Sequence, residues 1–194
     1  MRALILIIDH FDSFSHNLYQ ALSSQHQGVE VVRCDKVSVA DIEDMKPRWV
    51  ILSPGPRGPK NTGVTLEYLK SSLAEKTPTL GICLGFQAMA VHWGARVLQA
   101  GEVVHGKTLD LTLSSHPIFE GLPSPLQVAR YHSLGVSSSS LPNHIETLGS
   151  HKEMAMAVID THKPWVGLQF HPESFLTPQG PELLLNIARW HKLI

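Results

Sequence analysis

The sequence predicts an α/β fold: an open, mostly parallel, doubly wound sheet with extra antiparallel strands. Three features point to it. Short, nearly unbroken apolar runs recur at residues 3–8, 49–52 and 79–82, as expected of central strands covered on both faces. Stretches with helical apolar spacing lie between the strands, and this repeated alternation favours right-handed crossovers and a parallel sheet. Beyond Trp93 the texture changes to short alternating segments separated by turn residues, the pattern of antiparallel additions.

The first run ends at Asp9-His10-Phe11-Asp12. Ser13 is placed to cap a helix through Phe14, Leu18 and Leu22, and residues 29–32 resume as a strand, completing a βαβ unit. A short helix is expected near residues 39–45. The strand at 49–52 stops at Ser53-Pro54-Gly55-Pro56-Arg57-Gly58-Pro59, where dense proline and glycine fix a rigid loop and Gly55 lets backbone approach a ligand closely. Leu66, Leu69 and Leu73 mark one stripe of the next helix, which leads through Pro78 to the strand at 79–82 and a helix over residues 88–93. Later strands are expected at residues 109–113, 126–129, 154–158 and 165–170. Residues 137–140 read as an exposed serine loop, and residues 181–192 as a closing helix with Leu184, Ile187 and Ala188 facing inward. No repeat or linker divides the chain, so residues 1–194 are read as a single domain. In open parallel sheets ligands bind at the carboxyl ends of strands. Three loops gather there: residues 9–13, residues 53–59 and the turn at Cys83.

Composition narrows the function classes. The 194 residues are 43% hydrophobic and 17% charged, with a net charge of -1 and both signs mixed along the chain. No electrostatic footprint for nucleic acid or an anionic membrane is present. The N-terminal apolar run is too short for a membrane span or a signal peptide, so a cytoplasmic protein is expected. Two cysteines, Cys34 and Cys83, make no disulfide framework, and a reducing compartment keeps Cys83 a thiol. Most of the 12 histidines, including His26, His92, His116, His144, His151, His162 and His191, sit in polar or turn contexts and are expected at the surface.

Cys83 falls where a strand meets a helix, inside Gly81-Ile82-Cys83-Leu84-Gly85. Gly-x-Cys-x-Gly is the thiol counterpart of the Gly-x-Ser-x-Gly elbow, whose small neighbours let a strained turn present the nucleophile. A helix N-terminus at that point favours the thiolate and offers N–H groups to a developing oxyanion. Alone, the pattern fits a buried core cysteine beside a glycine turn equally well, and a base elsewhere has to decide. The segment ending at Phe170 delivers His171-Pro172-Glu173. Side chains two apart on an extended stretch share a face, and Pro172 keeps His171 out of helical geometry, so imidazole and carboxylate can meet. The carboxylate would fix the imidazole's tautomer while the other ring nitrogen takes the Cys83 proton. A metal site is the rival reading of Cys, His and Glu. No Cys-x-x-Cys, His-x-x-x-His or carboxylate cluster supplies the remaining ligands, so neither metal nor cofactor is expected.

Gly81-Ile82-Cys83-Leu84-Gly85-Phe86-Gln87 together with Phe170-His171-Pro172-Glu173-Ser174 resembles the class I glutamine amidotransferases, over essentially the whole chain. Asp12-Ser13-Phe14 with Asn17-Leu18, Ser53-Pro54-Gly55-Pro56, His105-Gly106-Lys107, Arg130-Tyr131-His132-Ser133-Leu134 and Ser174-Phe175-Leu176-Thr177 are similar to the glutaminase subunits of chorismate-using synthases. The resemblance implies glutamine as substrate, Cys83 as nucleophile, His171 as acid and base, and Glu173 as its orienting carboxylate. It implies an oxyanion hole from the N–H groups of Gly55 and Leu84. Gln87, Ser133 and Leu134, with the backbone of Gly55, Pro56 and Arg57, would hold the glutamine. It further implies a separate chorismate-binding synthase subunit, docked over residues 9–13 and 56–61, with anthranilate as the expected product and aminodeoxychorismate as the alternative. Three positions depart from the pattern: Phe86 stands where His is common, Arg57 replaces a common glycine, and residues 99–102 leading to His105 are less basic than usual. Two other classes share the elbow, a free-standing γ-glutamyl hydrolase that needs no partner and a non-catalytic binding module.

Overall fold

The computed structural model describes residues 4–24, 28–56, 58–100 and 106–194. The first half runs β1 (Ile5–Asp9), α1 (Ser15–Ser23), β2 (Val29–Arg33), α2 (Val39–Met45), β3 (Trp49–Leu52), α3 (Thr65–Lys70), α4 (Ser72–Lys76), β4 (Thr79–Ile82) and α5 (Leu84–His92). It continues through β5 (Val97–Gln99), β6 (Lys107–Leu111), β7 (Leu126–Arg130), β8 (Leu134–Ser137), β9 (Ile145–His151), β10 (Met154–Asp160), β11 (Trp165–Leu168) and α6 (Gly180–Trp190). The main sheet has the order β2-β1-β3-β4-β11-β10-β8-β5. From β2 to β11 every neighbour is parallel, and from β10 onward every pairing is antiparallel, including that of β9 with β10. β6 and β7 form a separate antiparallel ribbon.

The apolar runs have no polar face because both sides of the sheet are covered. Ile5, Ile7, Ile51, Leu80 and Ile82 enter a core with Leu18 and Leu22 of α1 and Leu184 and Ile187 of α6. Leu6, Ile8, Val50 and Leu52 point the other way, onto Ile42 of α2, Tyr68 and Leu69 of α3, and Met89 of α5. Alternation along each strand therefore divides the core into two layers, and each buried aliphatic side chain contributes about 1.5–3 kcal/mol. At the edge, β2 has no fully buried residue, and Glu30, Val31 and Arg33 are exposed.

α5 lies unusually close to the sheet. Gly81 of β4 and Gly167 of β11 are paired neighbours in the ladder. A Cβ on Gly81 would stand 2.5 Å from Met89 Sδ and 2.8 Å from the Phe86 nitrogen, and one on Gly167 would overlap the Phe86 ring. This two-glycine saddle seats the helix directly behind Cys83.

Several expectations need correction. Ser13 does not cap α1: Phe14 occupies that place without a side-chain cap bond. Asp12 takes the role instead, its Oδ1 accepting the Phe14 N–H at 2.6 Å. The stripe of Leu66, Leu69 and Leu73 is not one helix, because Ser71 turns extended (ψ 155°) and caps α4 with its own hydroxyl. α5 begins at Leu84 rather than Ala88. The strand expected at 165–170 stops at Leu168, and β5, β8 and β9 are additional. Ser137 is a buried strand end, while residues 138–140 form a 3-10 turn. Ala3, His26, Arg57 and residues 101–105, with His105, lie outside the described residues.

Candidate active site

Parallel β1, β3, β4 and β11 end on one edge of the sheet, and each delivers one part of the site. At the end of β4, Cys83 adopts φ 50° and ψ −101°. A side chain at positive φ costs on the order of 1–3 kcal/mol, which the surroundings must hold in place. Here the Cys83 N–H donates to the Leu168 carbonyl at 2.7 Å, and the Cys83 carbonyl accepts from the Gln87 N–H at 2.9 Å. The first N–H groups of α5, Leu84 among them, have no acceptor within the helix.

After β11 the chain turns rather than extending, so His171 and Glu173 meet across a turn and not on one face of a strand. His171 Nδ1 lies 2.7 Å from Glu173 Oε1, both side chains being buried. That bond leaves Nε2, which has no partner within hydrogen-bonding geometry among the described residues. Burial alone would lower the His171 pKa, but the Glu173 carboxylate and the Cys83 sulfur outweigh it and hold it well above 6.5. The ring is packed edge-on by Tyr131 at 5.1 Å and Phe14 at 5.7 Å. Its backbone is pinned to β7: the His171 N–H donates to Ala129, and the Thr177 hydroxyl donates to the His171 carbonyl while accepting from the Ala129 N–H.

Gly55 follows β3. A Cβ there would stand 2.7 Å from Leu84 Cδ2 and from the Cβ and carbonyl oxygen of His10, so the 53–55 loop and the Cys83 turn are in contact. His10, at the end of β1, underpins that loop. Its Nδ1–H donates to the Ser53 carbonyl at 2.9 Å, and Nε2 therefore accepts from the Thr65 hydroxyl at 2.7 Å. Burial pushes its pKa down to about 4. No catalytic pattern in the sequence marks His10, and what could have signalled it was a histidine closing an apolar strand.

Two hollows meet at Cys83. One, of about 200 Å³, is lined by Gly55, Pro56, Cys83, Gln87, Ser133 and Leu134, among others. The other, of about 310 Å³, is lined by Phe11, Asp12, Phe14, Gly55, Cys83 and His171, among others. Both Gln87 N–H donors are engaged, one with the Leu134 carbonyl and one with Gln169 Oε1, leaving its Oε1 for a ligand. The Leu134 carbonyl also accepts from His132 Nδ1, so it is saturated. Ser133 is exposed at the rim. Phe86 faces away from both hollows, in a core with Ala90, Val136 and Ala155. Among the described residues, no three His, Cys, Asp or Glu side chains converge to hold a metal ion.

A family model described as Glutamine amidotransferase class-I matches residues 6–189. The chain is 43% identical over 186 residues to aminodeoxychorismate synthase component 2 of Escherichia coli strain K12, covering 94% of this chain and 98% of that one. It is 40% identical over 190 residues to aminodeoxychorismate/anthranilate synthase component 2 of Bacillus subtilis strain 168, covering 97% of each. Its fold is similar to that of a putative GMP synthase subunit from Thermoplasma acidophilum, with a TM-score of 0.84 at 23% identity over 100% of this chain and 98% of that one.

Proposed function

Since this chain belongs to the class I glutamine amidotransferase family, we propose that it hydrolyses glutamine and supplies the ammonia to a separate chorismate-using synthase subunit. The observation that carries this reading is the convergence of the Cys83 elbow with the bonded His171–Glu173 pair on one hollow. The Cys83 thiolate attacks the side-chain amide carbon of glutamine, and the N–H groups of Gly55 and Leu84 hold the oxyanion. His171, whose raised pKa suits it to carry the proton taken from Cys83, delivers it to the amide nitrogen, which leaves as ammonia while the C–N bond breaks. A γ-glutamyl thioester remains, and water activated by His171 releases glutamate. Glu173 holds the imidazole's tautomer throughout. Gln87 Oε1 and Ser133 hold the amino-acid end of the substrate, beside the backbone of Gly55 and Pro56 that lines the same hollow.

Ammonia is protonated in water near neutral pH, so without a partner the chain would lose it. The two relatives are named as component 2 of synthases, which supports a separate partner subunit; residues 11–13 and Gly58, which line the hollows at Cys83, belong to the proposed docking face. A reducing, cytosolic compartment suits a reaction that needs a free thiol. The Bacillus subtilis name joins both products, which favours a single glutaminase that serves synthases making anthranilate or aminodeoxychorismate.

The test is glutamate release from glutamine by the purified chain, alone and with a chorismate-using synthase component from the same source plus chorismate. Release that climbs with partner and chorismate, together with an aminated product, is expected, and the product names the pathway. Strong release indifferent to any partner would instead identify a free-standing γ-glutamyl hydrolase. Cys83→Ala is expected to release no glutamate while keeping its fold by circular dichroism.

A further inference from the structure

Gln169 is fully buried against Cys83 and Gln87, and neither the triad nor the substrate contacts use it. Its Nε2 lies 3.7 Å from Cys83 Sγ. Which end of an amide faces a sulfur is ordinarily ambiguous, but a fixed acceptor resolves it here. The Leu134 carbonyl can only accept, so the group 3.1 Å from it must be the Gln87 NH₂. That same NH₂ then donates to Gln169 at 3.4 Å, which makes the receiving atom Oε1 and leaves the Gln169 NH₂ pointing at the sulfur. The backbone is held as well, since the Gln169 N–H donates to the Met156 carbonyl at 2.9 Å.

We propose that Gln169 is a catalytic residue that donates an N–H to the Cys83 sulfur, stabilising the thiolate and aiming it, with its polarity dictated through Gln87 by the Leu134 carbonyl. The donor favours the charged form of the sulfur, as any hydrogen bond to an ionised group does. It also lies on the side of Cys83 toward Gln87, so it steadies the sulfur without competing for the proton that His171 handles.

The inference rests on Cys83 being the nucleophile, and two readouts separate the claims. The first is the rate at which Cys83 is alkylated by iodoacetamide at neutral pH, which needs no turnover. The second is the split of kcat and KM for glutamine. Gln169→Glu keeps the shape and the acceptor for Gln87 but turns an oxygen toward the sulfur, and Gln169→Leu removes both the donor to the sulfur and the acceptor for Gln87, whose NH₂ keeps the Leu134 carbonyl. Both are expected to slow alkylation, and to lower kcat by about 10- to 100-fold with KM little changed, Glu more than Leu. If either variant folds with wild-type alkylation and kcat, the proposal is overturned. Should Cys83→Ala still release glutamate, the parent mechanism falls, while the alkylation rates still decide whether Gln169 acts on the sulfur.

Discussion

At Gly55 the space for a side chain is already taken, by His10 on one side and Leu84 on the other. Gly55→Ala must therefore push the loop away from the Cys83 turn. Under the proposed mechanism that removes one oxyanion donor, and kcat for glutamine is expected to fall about 10²–10³-fold in steady-state assays. Thr177 offers a different kind of test because its hydroxyl bridges two backbone groups and never meets substrate. Thr177→Val leaves the Ala129 N–H unpaired and the His171 carbonyl with the Ser174 N–H as its remaining donor, costing about 1–3 kcal/mol in urea unfolding. A loss of kcat should accompany that destabilisation, since His171 loses one of its backbone anchors. At this scale the pairing of His171 with Glu173 and the meeting of His171 with Cys83 on one hollow were legible, because the proposed chemistry restricts which residues can stand there. Thr177, Gln169 and His10 were not, because their importance lies in partners 6, 86 and 43 residues away, which no local pattern reveals.

α6 is coupled to the site through its first residue. A Cβ on Gly180 would overlap the Pro172 carbonyl, within the turn that joins His171 to Glu173. Gly180→Ala is expected to shift that turn, so thermal stability and kcat should fall together. α2 provides the contrast. Ser38 and Asp41 form a reciprocal capping box far from Cys83, and Ser38→Ala should cost about 1 kcal/mol with glutamine turnover unchanged. Elements were legible wherever burial on both faces wrote an apolar run, as in β1, β3 and β4. The α3–α4 break was hidden because leucine spacing continues straight across Ser71. β5 and β8 were hidden because short antiparallel strands such as Val97–Gln99 and Leu134–Ser137 carry too few residues for a period to show.

For the molecule as a whole, buried histidines set the acid limit of stability. His10 is neutral when folded, with a pKa of about 4, whereas unfolded it would titrate near 6.5. Between those values the unfolded chain binds more protons, so stability is complete above about pH 6.5 and is lost as pH falls toward 4, by on the order of 3 kcal/mol. His191, also pushed down to about 4 by burial, acts in the same direction. His171 has the opposite sign, its contribution being present below pH 6.5 and lost as pH rises through its elevated folded value. Urea unfolding of His10→Gln between pH 4 and 7 should show a shallower dependence than wild type, and an unchanged slope would refute the assignment. The parallel sheet and the edge that gathers the candidate site were legible at this scale because topology rules leave few arrangements for repeated βαβ units. The switch to antiparallel pairing after β11 was visible only as a change of texture.

The two hollows on either side of Cys83 also determine how the sulfur can be approached. They share Gly55, Pro56, Cys83 and Tyr131 but extend in different directions, one to Gln87 and Leu134 and the other to Phe11 and His171, so filling the Gln87 side does not plug the Phe11 side. A saturating amino acid would then protect the thiol from reagents as bulky as itself, while leaving a back door ajar for the smallest ones.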